Sequence, residues 1–172
     1  MTDADSIRTH IARCRAELLA AADAVPSRQW QDSPGAGRWS AAEILAHVTM
    51  VEQAITAGAR KVLAAEPRRY SLWQRLHPPV SIVAWRGFRR ETPIPLDRTL
   101  LAECTTMQQR LAEARARTLA LLEENAARDL RRWYWPHPFL GPLNYYQWFR
   151  LLGYHDSRHA KQMREVTQAL RR

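Results

Sequence analysis

The sequence predicts an all-α protein, a four-helix bundle, and two observations lead to that class. Apolar residues recur at alternating intervals of three and four in four separate segments, which is the spacing of one face of an α-helix. No segment shows a sustained period of two, so we expect essentially no β-sheet. At 172 residues the chain is long enough to bury a real core, and we expect residues 1–172 to form one helical domain.

The first two helices are separated by a turn-rich loop. The first apolar stripe stops at Pro26, and residues 33–37 then supply a proline and two glycines. The second helix is expected to begin at Ser40, because Ser40 and Glu43 form the S-x-x-E pattern of a capping box, and Pro67 ends it. The two stripes are Ile7, Ile11, Cys14, Leu18, Ala21, Val25 and Ile44, Val48, Val51, Ile55, Gly58, Val62.

The third and fourth helices carry similar stripes. Asp97 is a candidate N-cap for the third helix, and Asn144 with Gln147 forms a plausible capping pair for the fourth. The stripes are Leu100, Cys104, Met107, Leu111, Ala114, Thr118, Leu121 and Trp148, Leu152, His155, His159, Gln162, Val166, Ala169. The fourth stripe differs from the others because three successive positions are polar.

The connection between helices 2 and 3 is unusually long. It spans about residues 67–96, which is too long for a tight turn between adjacent helices. A helix of about 25 residues is about 37 Å long, and an extended chain covers about 3.3 Å per residue, so this crossover is long enough to run back along the bundle. We therefore expect helices 2 and 3 to be parallel, in up-down-down-up order.

Positive charge is concentrated in this crossover. The formal net charge is +9, and the segment 67–90 contains no acidic residue but six arginines: Arg68, Arg69, Arg75, Arg86, Arg89 and Arg90. Tyr70, Trp73, Trp85 and Phe88 alternate with them. Our hypothesis is that these aromatic residues pack on the bundle or on a second subunit while the arginines face solvent or an anionic ligand. A solvated loop is the alternative.

Composition and motifs also indicate where the protein is located and what kind of partner it binds. The chain lacks an apolar stretch long enough to span a bilayer and a recognisable secretion signal, and its two cysteines form no redox or metal motif. We expect a cytoplasmic protein. We find no nucleic-acid-binding motif, so we expect a small-molecule substrate rather than nucleic acid, and a homodimer stays open.

The polar positions of the fourth stripe suggest a metal site. Residues four apart lie one above the other on a helix, so His155 and His159 present two imidazoles to one point, as in helical zinc sites. His47, at the edge of the core-facing stripe of helix 2, is the best candidate for a third ligand. His10 is placed on the polar side of helix 1, and His77 and His137 fall in connections. The alternative is that these histidines are hydrogen-bonded core residues.

Two segments carry a resemblance to a known family. Residues 37–48, GRWSAAEILAHV, and the stretch HPFLGPL at 137–143 followed by His155, Asp156, His159 and Gln162 resemble the two signatures of the DinB/YfiT-like superfamily. The resemblance covers nearly the whole chain. It implies an up-down-down-up four-helix bundle with a three-histidine site for zinc, nickel or a similar ion, whose ligands carry over to His47, His155 and His159.

Two further residues are candidates for supporting the ligands. Gln162, one turn beyond His159, is placed to orient a ligand or to donate to a water on the metal. Glu43, one turn before His47, is placed to accept the free N–H of that imidazole, the usual way in which a ligand's tautomer is fixed. Its rival role is the capping box with Ser40. Asp156 points about 100° away from His155 on the helix, so we do not expect it at the metal.

The resemblance also suggests an activity. Members of the superfamily with known activity transfer low-molecular-weight thiols, and a cation with three neutral ligands would ionise such a thiol at neutral pH. We therefore expect a metal-dependent enzyme, a thiol-dependent S-transferase. The alternatives are a metal-dependent hydrolase and a non-catalytic binding protein whose bundle is stapled by the metal.

Overall fold

The computed structural model describes residues 3–67, 70–71, 73–87 and 95–171. It is mostly helical, as the sequence predicts. The four long helices are α1 (Asp3–Asp23), α2 (Ala41–Leu63), α3 (Cys104–Glu124) and α4 (Tyr145–Leu170). Within these described residues, no helix combines the length and the apolar character that crossing a bilayer requires.

Two of the predicted helix starts are confirmed. The Ser40 hydroxyl accepts from the Glu43 backbone N–H, and the Glu43 carboxylate accepts from the Ser40 N–H. Asn144 and Gln147 form the same reciprocal pair at the start of α4. Each box gives partners to N–H groups that the first turn of a helix leaves unpaired.

The start of the third helix was predicted wrongly. Asp97 does accept from the Thr99 N–H, but it caps a short 3-10 helix, Arg98–Leu100, rather than α3. The backbone becomes extended again at Leu101, and α3 begins at Cys104. The periodic spacing of Leu100 and Cys104 therefore ran across the end of one helix and the start of another.

The expectation of essentially no sheet is also wrong. β1 (Tyr134–His137) and β2 (Gly141–Asn144) form an antiparallel hairpin, in which Tyr134 lies opposite Asn144. Gly141 has φ +75°, a conformation that favours glycine. Strands of four residues that contain prolines show too little alternation to be recognised. The hairpin leads directly into α4.

The core is joined across the bundle by a buried ion-pair network, with one charged residue from each helix. Glu52 of α2 and Asp156 of α4 are 0% and 1% exposed. Arg15 Nε donates to Asp156 Oδ2 at 2.9 Å, and Arg115 Nε donates to Glu52 Oε1 at 2.7 Å. Arg115 Nη2 also donates to Asp156 Oδ2 at 3.1 Å. Buried charges need such partners because burial removes their hydration.

In the side-chain contacts between α2 and α3, earlier residues of α2 meet earlier residues of α3, and later residues meet later ones. Glu52 contacts Arg115 and Thr118, and Thr56, one turn later on α2, also contacts Thr118 at 3.0 Å. Ala46, earlier on α2, lines a small cavity with Met107, earlier on α3. The up-down-down-up order remains our prediction, and these pairs support it.

Part of the crossover packs on α4. The 3-10 helix Val80–Ala84 and the residues up to Arg86 lie along α4, and we call residues 80–86 the strap. The Lys161 ammonium donates to the Ala84 carbonyl at 3.1 Å, and the Arg158 guanidinium donates to the Trp85 carbonyl. The strap is therefore fixed to α4 by polar contacts.

The aromatic residues of the crossover only partly follow our hypothesis. The ring of Tyr70 contacts that of Tyr134, as packing on the domain requires. Trp73 and Trp85 are 83% and 55% exposed, so neither is buried against this chain. Of the arginines in the hypothesis, Arg75 is exposed as expected, whereas Arg86 is half-buried and pairs with Glu165 of α4. The positions Arg68, Arg69, Phe88, Arg89 and Arg90 lie outside the described residues.

Candidate metal centre

Three histidines from two helices meet at one point. His47 lies in the second turn of α2, and His155 and His159 lie one turn apart on α4. One ring nitrogen from each residue falls within 4.8 Å of the other two. The Nε2 atoms of His155 and His159 are 3.2 Å apart. The structure thus brings together all three residues that the sequence singles out.

The indole of Trp39 forms a wall beside this cluster. Its ring centroid is 4.9 Å from that of His47 and 6.4 Å from that of His159, and the indole is nearly parallel to the His159 ring. Trp39 directly precedes the cap of α2, which fixes its position relative to His47. Trp39 is part of the segment 37–48 that resembles the family signature, but the sequence did not predict that it lies at the site.

Burial keeps the three imidazoles neutral at physiological pH. It lowers the pKa of His47 to about 4, with a smaller contribution from the charge of Arg158. Burial likewise lowers the pKa of His155 and of His159 well below the ordinary value, and the neighbouring histidines and Arg158 add to the effect. Neutral imidazoles offer the lone pairs that a metal ion needs.

The hydrogen bonds of Gln162 fix the tautomer of His159. Gln162 Oε1 accepts from His159 Nδ1 at 2.9 Å and from Arg86 Nη1 at 3.2 Å. Because the Nδ1 atom carries the proton, Nε2 of His159 keeps its lone pair, which faces Nε2 of His155 at 3.2 Å. Gln162 therefore sets the orientation of the His159 ring, which is what a residue beside a metal ligand would do.

Glu43 occupies the alternative role that the sequence left open. Its carboxylate completes the capping box with Ser40 and also accepts from Arg98 Nε at 3.1 Å. In the described part of the chain, no hydrogen bond joins Glu43 to His47. The structure therefore places Glu43 at the helix start and not against the imidazole.

The other three histidines have separate environments. His10 Nε2 donates to the Arg150 carbonyl at 3.2 Å, so the residue is half-buried against α4 rather than on a polar face. His77 Nε2 lies 3.0 Å from Gln147 Nε2. His137 Nδ1 accepts from two backbone N–H groups of the hairpin turn. None of them belongs to the three-histidine cluster.

The donor set fits a divalent transition metal. Imidazole nitrogens suit zinc, nickel and similar ions, and three of them leave at least one coordination position for another molecule. Among residues 3–67, 70–71, 73–87 and 95–171, no cysteine, aspartate, glutamate or further histidine joins the cluster as a fourth ligand. Within the described residues, the cluster therefore has the ligand count of an open site.

Comparisons with known proteins point to one family. The sequence model of the DinB superfamily matches residues 10–163. The chain is 26% identical over 147 residues to the uncharacterized protein YuaE of Bacillus subtilis (strain 168), a match that covers 81% of this chain and 83% of that protein. No solved structure matches the chain significantly.

Proposed function

Because the chain belongs to the DinB superfamily, we propose that His47, His155 and His159 hold a divalent metal ion, zinc or nickel, at the centre of an enzyme. The observation that carries this proposal is the convergence of three imidazoles, of which His47 and His159 are buried and His155 is half-buried, on one point without a fourth ligand among the described residues. Grouping three imidazoles away from water costs free energy unless their lone pairs find a partner. A cation supplies that partner.

The reaction we propose is thiol-dependent S-transfer between a low-molecular-weight thiol and an electrophilic small molecule in the cytoplasm. When bound, the cation lowers the pKa of a thiol that reaches its open position, which supplies the thiolate nucleophile at neutral pH. The three imidazoles stay neutral, so they leave the charge of the cation undiminished. The DinB-like signatures around His47 and His155 support this reaction class.

Nearby residues of the chain fit an anionic thiol. The charge of Arg158 reaches all three histidines, since it contributes to lowering the pKa of each. The same charge attracts the carboxylates that small physiological thiols carry. The Trp39 indole gives the site a flat apolar side next to His47 and His159.

The test is a conjugation assay with metal-loaded protein, a chloronitrobenzene electrophile and a panel of physiological thiols. We expect conjugation that requires the metal and is lost in His155→Ala and His159→Ala. The matched control is His77→Ala, because His77 is a histidine outside the cluster. Equal rates in wild type and His155→Ala would refute catalysis at this centre.

The same open site also fits hydrolysis through an activated water, which is our second candidate. Metal-dependent cleavage of simple esters or amides, with no reaction of any thiol, would favour it over transfer. If neither activity appears and the metal is fully coordinated by protein atoms, the ion only stabilises the helical bundle and the protein is a non-catalytic binding protein.

A further inference from the structure

We propose that Arg86, a residue of the strap, is a positioning residue for the metal centre: it holds the Gln162 amide in the one orientation that leaves His159 Nε2 free to bind a metal. This inference rests on the proposed metal centre. It assigns a role inside the domain to one arginine of the basic crossover, which the sequence suggested faces solvent or an anionic ligand.

The guanidinium of Arg86 is itself firmly placed. Arg86 Nε and Nη2 donate to the two carboxylate oxygens of Glu165 at 2.9 and 2.7 Å, which is a bidentate ion pair. The remaining donor, Nη1, is directed to Gln162 Oε1 at 3.2 Å. Glu165 lies one turn from Gln162 on α4, so one guanidinium spans both residues.

The contact with Arg86 decides which end of the amide faces His159. A glutamine side chain can present either its oxygen or its NH₂ group, whereas a guanidinium only donates hydrogen bonds. The atom that faces Arg86 is therefore the oxygen, and the same oxygen lies 2.9 Å from His159 Nδ1. Rotating the amide by 180° would turn its NH₂ group toward a cation.

The orientation of the amide in turn decides whether His159 can be a ligand. With the oxygen at Nδ1, the proton stays on Nδ1 and the Nε2 lone pair faces Nε2 of His155, 3.2 Å away. With the NH₂ group of Gln162 at this position, His159 Nδ1 would accept a hydrogen bond from it, and the proton of the imidazole would be on Nε2. The second arrangement removes a metal ligand, so Arg86 acts on metal binding through two hydrogen bonds.

Cobalt titration separates this role from a general role in docking the strap. The probe is Co²⁺ alone, followed by its visible absorption. We expect Arg86→Met to weaken Co²⁺ binding by about tenfold, the lower end of what losing an outer-shell partner of a ligand costs. The matched control is Arg75→Met, because Arg75 is an exposed arginine of the same crossover whose Nε donates to the Ser71 carbonyl. The Co²⁺ affinity of this variant should equal that of wild type.

The decisive comparison repeats Arg86→Met in a Gln162→Glu background. A carboxylate presents oxygen in either orientation, so Arg86 is no longer needed to select it. We expect the loss of affinity to shrink below about threefold in that background, against about tenfold with glutamine. An equal loss in both backgrounds would assign Arg86 to strap docking alone and overturn the proposal.

Nitrogen NMR of the metal-free protein gives a readout that does not depend on the metal. At pH 8 we expect His159 to carry its proton on Nδ1 in wild type and to become a mixture of tautomers in Arg86→Met. An unchanged tautomer and an unchanged cobalt affinity would overturn the role of Arg86 while leaving the metal centre intact. A wild type that takes up no cobalt would overturn the metal centre, and with it this role.

Discussion

Arg15 of α1 and Asp156 of α4 form a buried ion pair directly beside the candidate metal centre. Arg15 Nε donates to Asp156 Oδ2 at 2.9 Å, and Asp156 follows His155 in the chain. Both side chains are less than a tenth exposed. The pair is therefore part of the scaffold that sets the position of His155 on α4, and its loss should be felt in stability.

Asp156→Asn should lower the free energy of unfolding by about 3–5 kcal/mol, because it leaves two buried arginines short of a negative charge. Urea unfolding of the metal-free protein measures the change. Asp129→Asn is the matched control, since Asp129 pairs with Arg131 on the surface, and it should cost less than about 1 kcal/mol. Similar losses for the two variants would contradict a special role of the network.

The metal centre predicts about one divalent ion per chain. We expect His155→Ala and His159→Ala to abolish tight binding and His47→Ala to weaken it strongly, because each removes one of the converging nitrogens. Elemental analysis of protein purified without added metal gives the content. His10→Ala should leave the content unchanged, since His10 bonds the Arg150 carbonyl away from the cluster. A metal-free wild type that gains no thermal stability from zinc or nickel would exclude the centre.

The parts of the site that the sequence predicted are those fixed by local spacing. The helical repeat of α4 predicts that His155 and His159 lie one above the other. The apolar stripe of α2 places His47 at the edge of its core-facing side. Trp39 and Arg86 were missed because their places depend on how a loop and the strap pack, which no periodic pattern encodes. The contact between Gln162 and His159 could be expected because the two residues lie one turn apart on the same face of α4.

The parts of the fold that escaped prediction have the same cause. The sequence did not predict the ion pairs of Asp156, because its partners Arg15 and Arg115 come from two other helices and are not visible in its own segment. The hairpin was missed because its pairing depends on a turn at Gly141 and on strands of four residues. Long-range pairing of this kind leaves almost no trace in a single segment.

Glu43 should matter for stability and not for metal. We expect Glu43→Ala to lower the free energy of unfolding by about 1 kcal/mol, because it removes half of the capping box. Its metal content should equal that of wild type, since its hydrogen bonds lead to Ser40 and Arg98. Ser40→Ala removes the other half of the box and should behave alike. A clear loss of metal in Glu43→Ala alone would show that it acts on His47.

The buried histidines also predict how stability depends on pH. In the unfolded chain each imidazole takes up a proton near its ordinary pKa of about 6.5, whereas in the folded protein burial lowers the pKa of His47 to about 4 and the pKa of His155 and of His159 well below the ordinary value. Between those values the unfolded state binds more protons than the folded state. The free energy of unfolding of the metal-free protein should therefore fall as pH falls from 7 to 5, by up to about 1.4 kcal/mol per pH unit for each such histidine.

Urea titrations at several pH values, with a chelator present, measure this slope. His47→Leu removes one of the three groups and should give a shallower slope than wild type. A stability that stays level from pH 7 to pH 5 would mean that the imidazoles are hydrated in the folded protein, and buried lone pairs would then no longer argue for a metal.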